Sequence, residues 1–410
     1  MARTGAGETR TYAATTIYDL TDDLLEDFLL RVRSPVCLVR AAATCRPWRR
    51  VIGGGAGFLR RYRSLHGPHL LGHFVPKKPW KFAKFVPAAS PPGTPPIDIS
   101  ESIDLGFLND YENREWVLTD SRDGLLAFVK VSSGIVLVGD PLTYEHVEAV
   151  LPPWTGEAHS YCFGAFLLDS DTDDTAKAPY MSRFRVICLR LVKDFGSEAY
   201  IAMSYVFSAK DRRWIKLSTT DAGNIVMARV LAQLHHVHMN LVGRVAGSIF
   251  WSAGNEGTVL ELDESTGKFS VFTLPPPVGT YNRNYLRVIS ADAHTVRLVR
   301  IVGNDLEAIT RARSSVACTV DRRYSLTGAI NIWKISEINS LNLSWEFWDT
   351  ALELGPVSIL ISADPDCLLT FSLNVATMRM KGMEISSLDV HQRVFPYEPP
   401  WPPTLRACLP

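Results

Sequence analysis

Acidic residues are absent from a long N-terminal stretch of this 410-residue chain. No Asp or Glu occurs between Asp27 and Asp98, whereas thirteen Lys and Arg fall in that interval. Because the whole chain holds 43 basic and 43 acidic residues, the remainder carries a net charge of −13. A basic segment of this size can attract nucleic acid phosphates or an acidic protein surface. The charge pattern alone leaves both partners open, and a solvated basic surface is compatible with either.

Cysteine usage and hydropathy argue against several classes of protein. The seven cysteines are scattered, odd in number and free of any Cys-x-x-Cys pair, which argues against a disulfide framework or a structural zinc site. The first sixteen residues hold no apolar run of the signal-peptide kind, and no stretch of eighteen or more apolar residues occurs. We therefore expect a protein of the nucleus or cytoplasm without membrane association, and the length allows two or three domains.

Apolar residues recur at helical spacing from residue 19 onward. The first helix is predicted to carry one apolar stripe made of Leu20, Leu24, Leu25, Phe28, Leu29 and Val32. Thr21 is a natural N-cap for this helix. Asp22 and Asp23 follow in the first turn, where the helix dipole favours negative charge.

Two further short helices are predicted from the positions of proline. Ser34 caps and Pro35 opens the second helix, while Pro47 cannot lie inside that helix but can open a third. The apolar sides of these helices hold Leu38, Val39, Ala42, Cys45, Trp48, Val51 and Ile52. Three helices of about ten residues do not enclose a core by themselves, so part of the apolar surface must meet something else.

The order of these residues resembles an F-box, in the form common among plant F-box proteins. Over about fifty residues, the resemblance is carried by Leu20-Thr21, Leu24-Leu25, Phe28-Leu29, Ser34-Pro35, Leu38-Val39, Cys45 and Trp48-Arg49. The family uses this trihelical unit to dock on the Skp-type adaptor of SCF ubiquitin ligases, and through it on cullin. Thr21 departs from the family, which usually has Pro after the first Leu. Both residues start a helix well, so we expect docking to survive.

The resemblance also implies which residues contact the partner. They are Leu20, Thr21, Leu24, Leu25, Phe28, Leu29, Leu38, Val39, Cys45 and Trp48. Skp-type adaptors are acidic as a family, so the basic segment favours a protein partner over nucleic acid. The competing interpretation is that residues 19–67 form a plain three-helix cap on the following domain.

Composition divides the chain into four parts. We expect residues 1–16 to be disordered, 17–67 to form the F-box unit, 68–101 to be a proline-rich linker and 102–410 to form a β domain. A further helix is predicted at the end of the F-box unit, with Phe58, Leu59, Tyr62 and Leu65 on one face.

The β domain shows short β-rich runs between Gly, Asp, Ser and Pro turns, and it contains a repeat. In each copy an Asp lies 16 positions after a Gly, and a Pro lies 12 positions after that Asp. The two copies are Gly124-Asp140-Pro152 and Gly247-Asp263-Pro275. A third trace is predicted at Asp366–Phe371, which echoes Asp123–Phe128, and Trp214–Leu217 is interpreted as the end of an intervening copy.

Units of this kind, closed by Leu-Pro, resemble the blades of a β-propeller, as in the C-terminal domains of many F-box proteins. One blade cannot bury both of its faces, so neighbouring blades stack around a central channel. The offset of 123 residues between the two copies fits a period near 41 or near 61. We therefore expect a mainly β protein with a small α domain and about five to seven blades. A pair of β-sandwiches is the alternative.

Motifs for chemistry are weak throughout. Asp169–Asp174 begins like a calcium loop but lacks the required Gly and Glu, which indicates an acidic surface loop. His235, His236 and His238 lie close together without a placed Cys, Asp or Glu, and the segment Val226–His236 fits a short helix or a strand. No Gly-x-Ser-x-Gly elbow occurs. We expect no catalytic residue, no metal and no cofactor.

These features predict a non-enzymatic substrate receptor of an SCF-type E3 ubiquitin ligase. By the resemblance, the F-box would attach to the Skp–cullin assembly, and the β domain would present an unknown target protein for ubiquitination. The alternatives are a nucleic-acid-binding protein that uses the basic segment 28–97, a propeller enzyme, and an F-box protein that works outside the ligase.

Overall fold

The structure, a computed structural model, describes the chain in segments. They are residues 20–32, 35–53, 56–66, 71–77, 81–87, 103, 105–108, 116–130, 134–151, 160–168, 180–193, 200–219, 240–253, 257–277, 281–292, 294–325, 346–348, 358–362, 369–374, 379–384 and 395–398. These residues belong to two compact units, a helical unit over 20–66 and a β unit over 71–398. The predictions for residues 1–16 and for Ser34 lie outside the described residues.

Within the described residues, four helices form the helical unit. They are α1 (Asp22–Leu29), α2 (Pro35–Thr44), α3 (Arg46–Gly53) and α4 (Ala56–His66). As predicted, α1 follows its N-cap Thr21 and α2 opens at Pro35, while α3 begins one residue before Pro47. The Thr21 side chain makes no capping hydrogen bond. Instead, the backbone N–H of Leu25 donates to the Thr21 carbonyl at 3.0 Å.

Five four-stranded antiparallel sheets give the β unit a five-bladed β-propeller arrangement. Blade 1 is β3 (Trp116–Arg122), β4 (Leu125–Lys130), β5 (Ile135–Gly139) and β6 (His146–Val150), and blade 2 is β7 (Ser160–Leu168), β8 (Arg185–Lys193), β9 (Tyr200–Ser208) and β10 (Arg213–Thr219). Blade 3 is β11 (Asn240–Val245), β12 (Ser248–Ala253), β13 (Thr258–Asp263) and β14 (Phe269–Thr273). Blade 4 is β15 (Tyr281–Ala291), β16 (Thr295–Val302), β17 (Asp305–Ala312) and β18 (Cys318–Ser325), and blade 5 is β19 (Glu346–Trp348), β20 (Ser358–Ser362), β21 (Leu369–Asn374) and β22 (Arg379–Glu384).

A sixth sheet joins two distant parts of the chain. It consists of β1 (Gly72–Lys77), β2 (Lys81–Pro87) and β23 (Phe395–Tyr397), in the order β2-β1-β23. The prediction of a linker over residues 68–101 is therefore wrong where β1 and β2 lie. Pro76 sits at an irregularity of the β1–β2 pairing and Pro87 ends β2, which are positions where a strand tolerates proline.

Neighbouring blades share apolar cores. Members of these cores are Ala127 and Val186 between blades 1 and 2, Phe166 and Trp251 between blades 2 and 3, and Phe272 and Leu298 between blades 3 and 4. The first strand of a blade lies beside the first strand of the next blade. This holds for β3 and β7, for β11 and β15, and for β15 and β19. The first strands therefore line the inner side of the arrangement, as in a propeller.

The predicted repeat is confirmed as two equivalent blades. Strands β12, β13 and β14 of blade 3 each begin 123 residues after β4, β5 and β6 of blade 1. The turn after β3 has positive φ at Asp123 and Gly124 (48° and 79°), and the turn after β11 repeats this at Ala246 and Gly247 (47° and 72°). Two successive positive φ angles are what a type I′ hairpin turn requires. Because one blade lies between the two copies, the period is near 61 residues.

The other two repeat assignments have different outcomes. Trp214–Leu217 lies in β10, the last strand of blade 2, as predicted. The third trace is wrong, because Leu369–Asn374 is the third strand of blade 5 whereas Leu125–Lys130 is the second strand of blade 1. A short Leu-Leu-x-Phe run suits any strand buried on both faces, so it does not define a position within a blade.

Gly267, in the turn between β13 and β14, tests the packing of blade 3 on blade 2. Its φ is +66°, and a Cβ there would lie 2.6 Å from Leu217 Cβ and from Ser204 Oγ. We expect Gly267→Ala to lower the free energy of unfolding by about 2–4 kcal/mol, from the left-handed backbone and the overpacking together. Urea unfolding followed by tryptophan fluorescence measures this loss.

Gly303→Ala is the matched control for Gly267→Ala. Gly303 has a φ of +59°, but a Cβ there would meet nothing within 4 Å. This variant should lose only about 1–2 kcal/mol, the cost of the left-handed backbone. Equal losses in the two variants would contradict the packing of the Gly267 turn on blade 2.

Candidate functional site

One side of α1 forms the core of the helical unit. Leu25 and Leu29 are buried there together with Leu38 of α2, Ile52 of α3 and Tyr62 of α4. Burial raises the pKa of Tyr62 to about 12, in keeping with this place in the core. Leu25, Leu29 and Leu38, which the resemblance assigns to partner contact, therefore act first as packing residues.

The other apolar side of α1 faces solvent within the helical unit. Leu24 is 58% exposed and Phe28 is 55% exposed. These residues are four positions apart, so their side chains adjoin on the helix surface. The apolar residues predicted to form one stripe thus lie on two faces of α1, one packed in the core and one exposed to solvent. We call Leu24 and Phe28 the α1 outer pair, and such a pair suits contact with a partner protein.

The remaining predicted contact residues differ in how far their side chains are buried. Thr21 is exposed, whereas Leu20, Cys45 and Trp48 are half-buried, and Trp48 packs against the core of the helical unit. The side chain of Val39 lies outside the described residues. On α4, Phe58 and Tyr62 are buried as predicted, but Leu65 is 63% exposed, so the predicted apolar face ends before it.

Two ion pairs hold α1 to the later helices, and sequence reasoning missed both. Arg50 Nη2 donates to the two carboxylate oxygens of Asp22, at 2.7 and 2.9 Å, and Arg61 Nη1 donates to Glu26 Oε1 at 2.7 Å. The partners are 28 and 35 residues apart, so no helical spacing signals them. Exposed pairs add little stability. They do compensate two charges of the basic segment.

An arginine cluster joins blades 1, 2 and 3 of the β unit. Arg244 on β11 donates to both carboxylate oxygens of Glu264 at 2.6 Å, to Asp120 Oδ2 on β3 at 2.8 Å and to the Leu167 carbonyl on β7. Asp120 also accepts a hydrogen bond from the Leu167 N–H at 2.8 Å. The Arg244 guanidinium thus binds both carboxylates, those of Asp120 and Glu264. This Arg244 cluster is built to join blades, and both carboxylates are already engaged.

Three open cavities surround β6, the outer strand of blade 1. Their volumes are about 440, 460 and 500 Å³. We call the residues around them the β6 rim: Trp116, Tyr144, His146, Val150 and Trp214. Tyr144 and Val150 are 46% and 65% exposed. Within the described residues, the buried indole N–H of Trp214 has no hydrogen-bond partner. Aromatic groups of this kind anchor protein interfaces.

Several predicted motifs cannot be placed. The acidic run Asp169–Asp174, the histidines His235, His236 and His238, and the segment Val226–His236 lie outside the described residues. Among the residues that the structure does describe, no three His, Cys, Asp or Glu side chains are grouped as metal ligands. In the same part of the chain, no helix has the length and apolar character needed to cross a membrane.

Comparisons with known proteins find no family for this chain. No protein-family model and no curated protein matches the chain. Similar solved structures include a Lactobacillus plantarum protein (12% identity, 68% of this chain and 73% of that chain covered, TM-score 0.38) and TolB from Acinetobacter baumannii (10%, 86% and 74%, 0.36). Another is the allergen Mala s 1 of Malassezia sympodialis (13%, 67% and 79%, 0.35). Overlaps this loose carry no argument about function.

The two faces of α1 should respond differently to a charged residue. Leu25→Asp places a carboxylate among the buried side chains of all four helices, which costs several kcal/mol unless the unit opens. Leu24→Asp with Phe28→Asp places both charges in solvent. Hydrogen exchange of peptides from residues 20–66 should show lost protection in the first variant and retained protection in the second. Equal protection in both would mean that α1 packs differently.

Proposed function

We propose that the chain is a non-enzymatic substrate receptor of an SCF-type ubiquitin ligase. In this proposal the helical unit docks on a Skp-type adaptor and, through it, on cullin, and the β unit holds the target protein. The observation that carries the proposal is the α1 outer pair, exposed on a helix whose sequence resembles an F-box. A folded helix that leaves adjacent Leu and Phe side chains in solvent is suited to a protein partner.

Energetics and charge both favour an acidic protein as the partner of the helical unit. Covering a Leu or Phe side chain contributes about 1.5–3 kcal/mol. The helical unit also exposes Arg31 after α1, Arg40 on α2 and Arg46 on α3. These cations would speed association with an acidic adaptor and help to fix its orientation.

The β unit is the proposed target-binding part. A stable specific interface buries roughly 800 Å² per partner. The β6 rim offers aromatic anchors beside open cavities on a rigid blade, which suits such an interface. Because the chain outside the basic segment is net acidic, a target with a basic patch would be favoured.

No residue of this chain needs to act as acid, base or nucleophile in the proposed role. Ubiquitin transfer would be carried out by the conjugating enzyme elsewhere in the assembly. The receptor would raise the effective concentration of a target lysine near the activated ubiquitin. This role places the protein in the nucleus or cytoplasm, where the ligase works.

The alternatives fit the described residues less well. For a nucleic-acid-binding role, the ion pairs of Arg50 with Asp22 and of Arg61 with Glu26 reduce the number of free cations in the basic segment. A hydrolytic enzyme would have to use Glu148 and His146 at the cavities around β6, because Asp120 and Glu264 are bound by one arginine. These observations favour the receptor proposal.

Adaptor docking should depend on the α1 outer pair. We expect Leu24→Asp with Phe28→Asp to reduce capture of the chain by a Skp-type adaptor about 30- to 150-fold, because the exposed parts of the two side chains together offer about 2–3 kcal/mol of apolar burial. A pull-down with purified adaptor over a concentration series measures this change. Leu65→Asp is the matched control, because Leu65 is equally exposed but lies on α4.

Two results would decide against the docking proposal. One is unchanged adaptor binding by the double variant. The other is an equal loss in the Leu65→Asp control, which would indicate a nonspecific effect of added negative charge.

Target binding should depend on the β6 rim and be separable from adaptor binding. Tyr144→Lys with Val150→Lys should abolish capture of crosslinked target proteins while adaptor binding stays unchanged, because lysine cannot replace the apolar anchors. Val316→Lys is the control, since Val316 is 72% exposed on blade 4. Crosslinking mass spectrometry compares the target proteins captured by the wild-type chain, by the rim variant and by the Val316→Lys control. Retained targets in the rim variant would place recognition elsewhere.

A further inference from the structure

Two cysteine side chains meet inside blade 2. Cys162 lies on β7 and Cys188 on β8, and their Sγ atoms are 3.0 Å apart. The strand pairing accounts for this approach. β7 has an irregularity between Cys162 and Gly164, so that Cys162 pairs with Arg190 and Ala165 pairs with Cys188. The extra residue bends and twists β7 locally and leaves the two cysteines diagonal to one another across the strands.

The two thiols have different surroundings. Cys188 is fully buried in the apolar core shared by blades 1 and 2, whereas Cys162 is partly exposed at the edge of that core. The hydrogen bond with the Cys188 thiol lowers the pKa of Cys162, and the nearby Arg190 charge lowers it further. Burial raises the pKa of Cys188. Cys162 therefore has the character of an attacking thiolate, and Cys188 that of a protected partner thiol.

We propose that Cys162 and Cys188 form a dithiol site that a hydroperoxide converts to a disulfide within blade 2. The proposal is independent of the ubiquitin-ligase role. It rests on the sulfur contact, the bulged pairing that produces this contact and the unequal exposure of the two thiols.

The reaction balances in two steps with one hydroperoxide as oxidant. The Cys162 thiolate attacks one peroxide oxygen, the S–O bond forms and the O–O bond breaks, and hydroxide (or alkoxide) leaves. The Cys188 thiol then loses its proton, and its sulfur attacks the Cys162 sulfur. The S–S bond forms as the S–O bond breaks, and the departing oxygen leaves as water. Two electrons pass from the dithiol to the peroxide.

The local geometry allows closure without moving a blade. An S–S bond is about 2.05 Å long, so the sulfurs need to approach by about 1 Å, which small side-chain rotations supply. Cys162 also lies close to blade 1, because a Cβ added to Gly134 would be 3.8 Å from Cys162 Cβ and 3.6 Å from Leu151 Cδ1. The bond would tie the first two strands of blade 2 together beside the boundary with blade 1.

The test uses the reduced full-length chain and hydrogen peroxide as the probe. After brief treatment with a few equivalents of peroxide, free thiols are alkylated and the digest is analysed by mass spectrometry. We expect a Cys162–Cys188 crosslinked peptide that dithiothreitol cleaves. It should form before Cys318 is oxidised, because burial raises the pKa of the Cys318 thiol. The thermal midpoint should rise with crosslinking and fall back on reduction, since the bond restrains the unfolded chain.

Variants make the test selective. In Cys188→Ala, peroxide should oxidise Cys162 more slowly, because the hydrogen bond that lowers its pKa is lost, and the product should be a sulfenic acid that dimedone traps. The thermal midpoint should not rise. Cys318→Ser is the matched control and should give the wild-type crosslink yield. The proposal is overturned if wild-type protein yields Cys162 sulfenic or sulfinic acid without the 162–188 bond, or if Cys162 pairs with a different cysteine. It is also overturned if Cys318 oxidises first.

Discussion

The β unit depends on the pairing of β1 with β23, because this contact brings the two ends of the unit into one sheet. β23 is only three residues long, and the strand is held from several sides. Leu71 N–H donates to the Tyr397 carbonyl at 2.9 Å, and Ser121 Oγ donates to the Pro396 carbonyl at 2.6 Å. The Tyr397 ring stands edge-on to Phe74 at 5.4 Å, a favourable arrangement of ring quadrupoles. Pairing the two ends of the unit leaves fewer open strand edges for misassociation.

Pairing of the two ends of the unit does not determine how neighbouring blades align. Buried arginines contribute to that alignment. Arg311 and Arg313 of blade 4 bind Glu261 of blade 3, each at 2.7 Å, while Arg244 connects blades 1, 2 and 3. A buried pair adds little net stability over apolar packing, but removing one partner costs about 3–5 kcal/mol. A shift between blades would leave such a carboxylate without its cation. Misaligned blades therefore cost more free energy than they would if apolar cores alone joined them.

Sequence reasoning succeeded where the fold follows from local rules. Helix starts at Thr21 and Pro35 and the equivalent turns at Gly124 and Gly247 all reflect backbone constraints on single residues. It failed where distant segments decide the outcome. Strand β1 was missed because Pro76 and the prolines that follow β2 favour a linker. Its neighbour β2 follows directly, but its other partner β23 lies more than 300 residues away. The apolar residues of α1 could not be sorted into inward and outward faces from spacing alone, since the packing of α2, α3 and α4 determines which face is covered.

The α1 outer pair shows what this sorting means for function. Leu25 and Leu29 already supply the packing that the helical unit needs from α1, so Leu24 and Phe28 add nothing to its core. Polar residues at these two positions would give the same helix with better solubility. The exposed parts of Leu24 and Phe28 would each contribute about 1–1.5 kcal/mol more if a surface covered them. In the proposed complex an adaptor surface would recover that energy, and the packing of Leu25 and Leu29 in the core already holds α1 in one orientation. Orienting the helix in the free chain lowers the entropy lost on binding, which is how a small apolar contact can still support a stable complex.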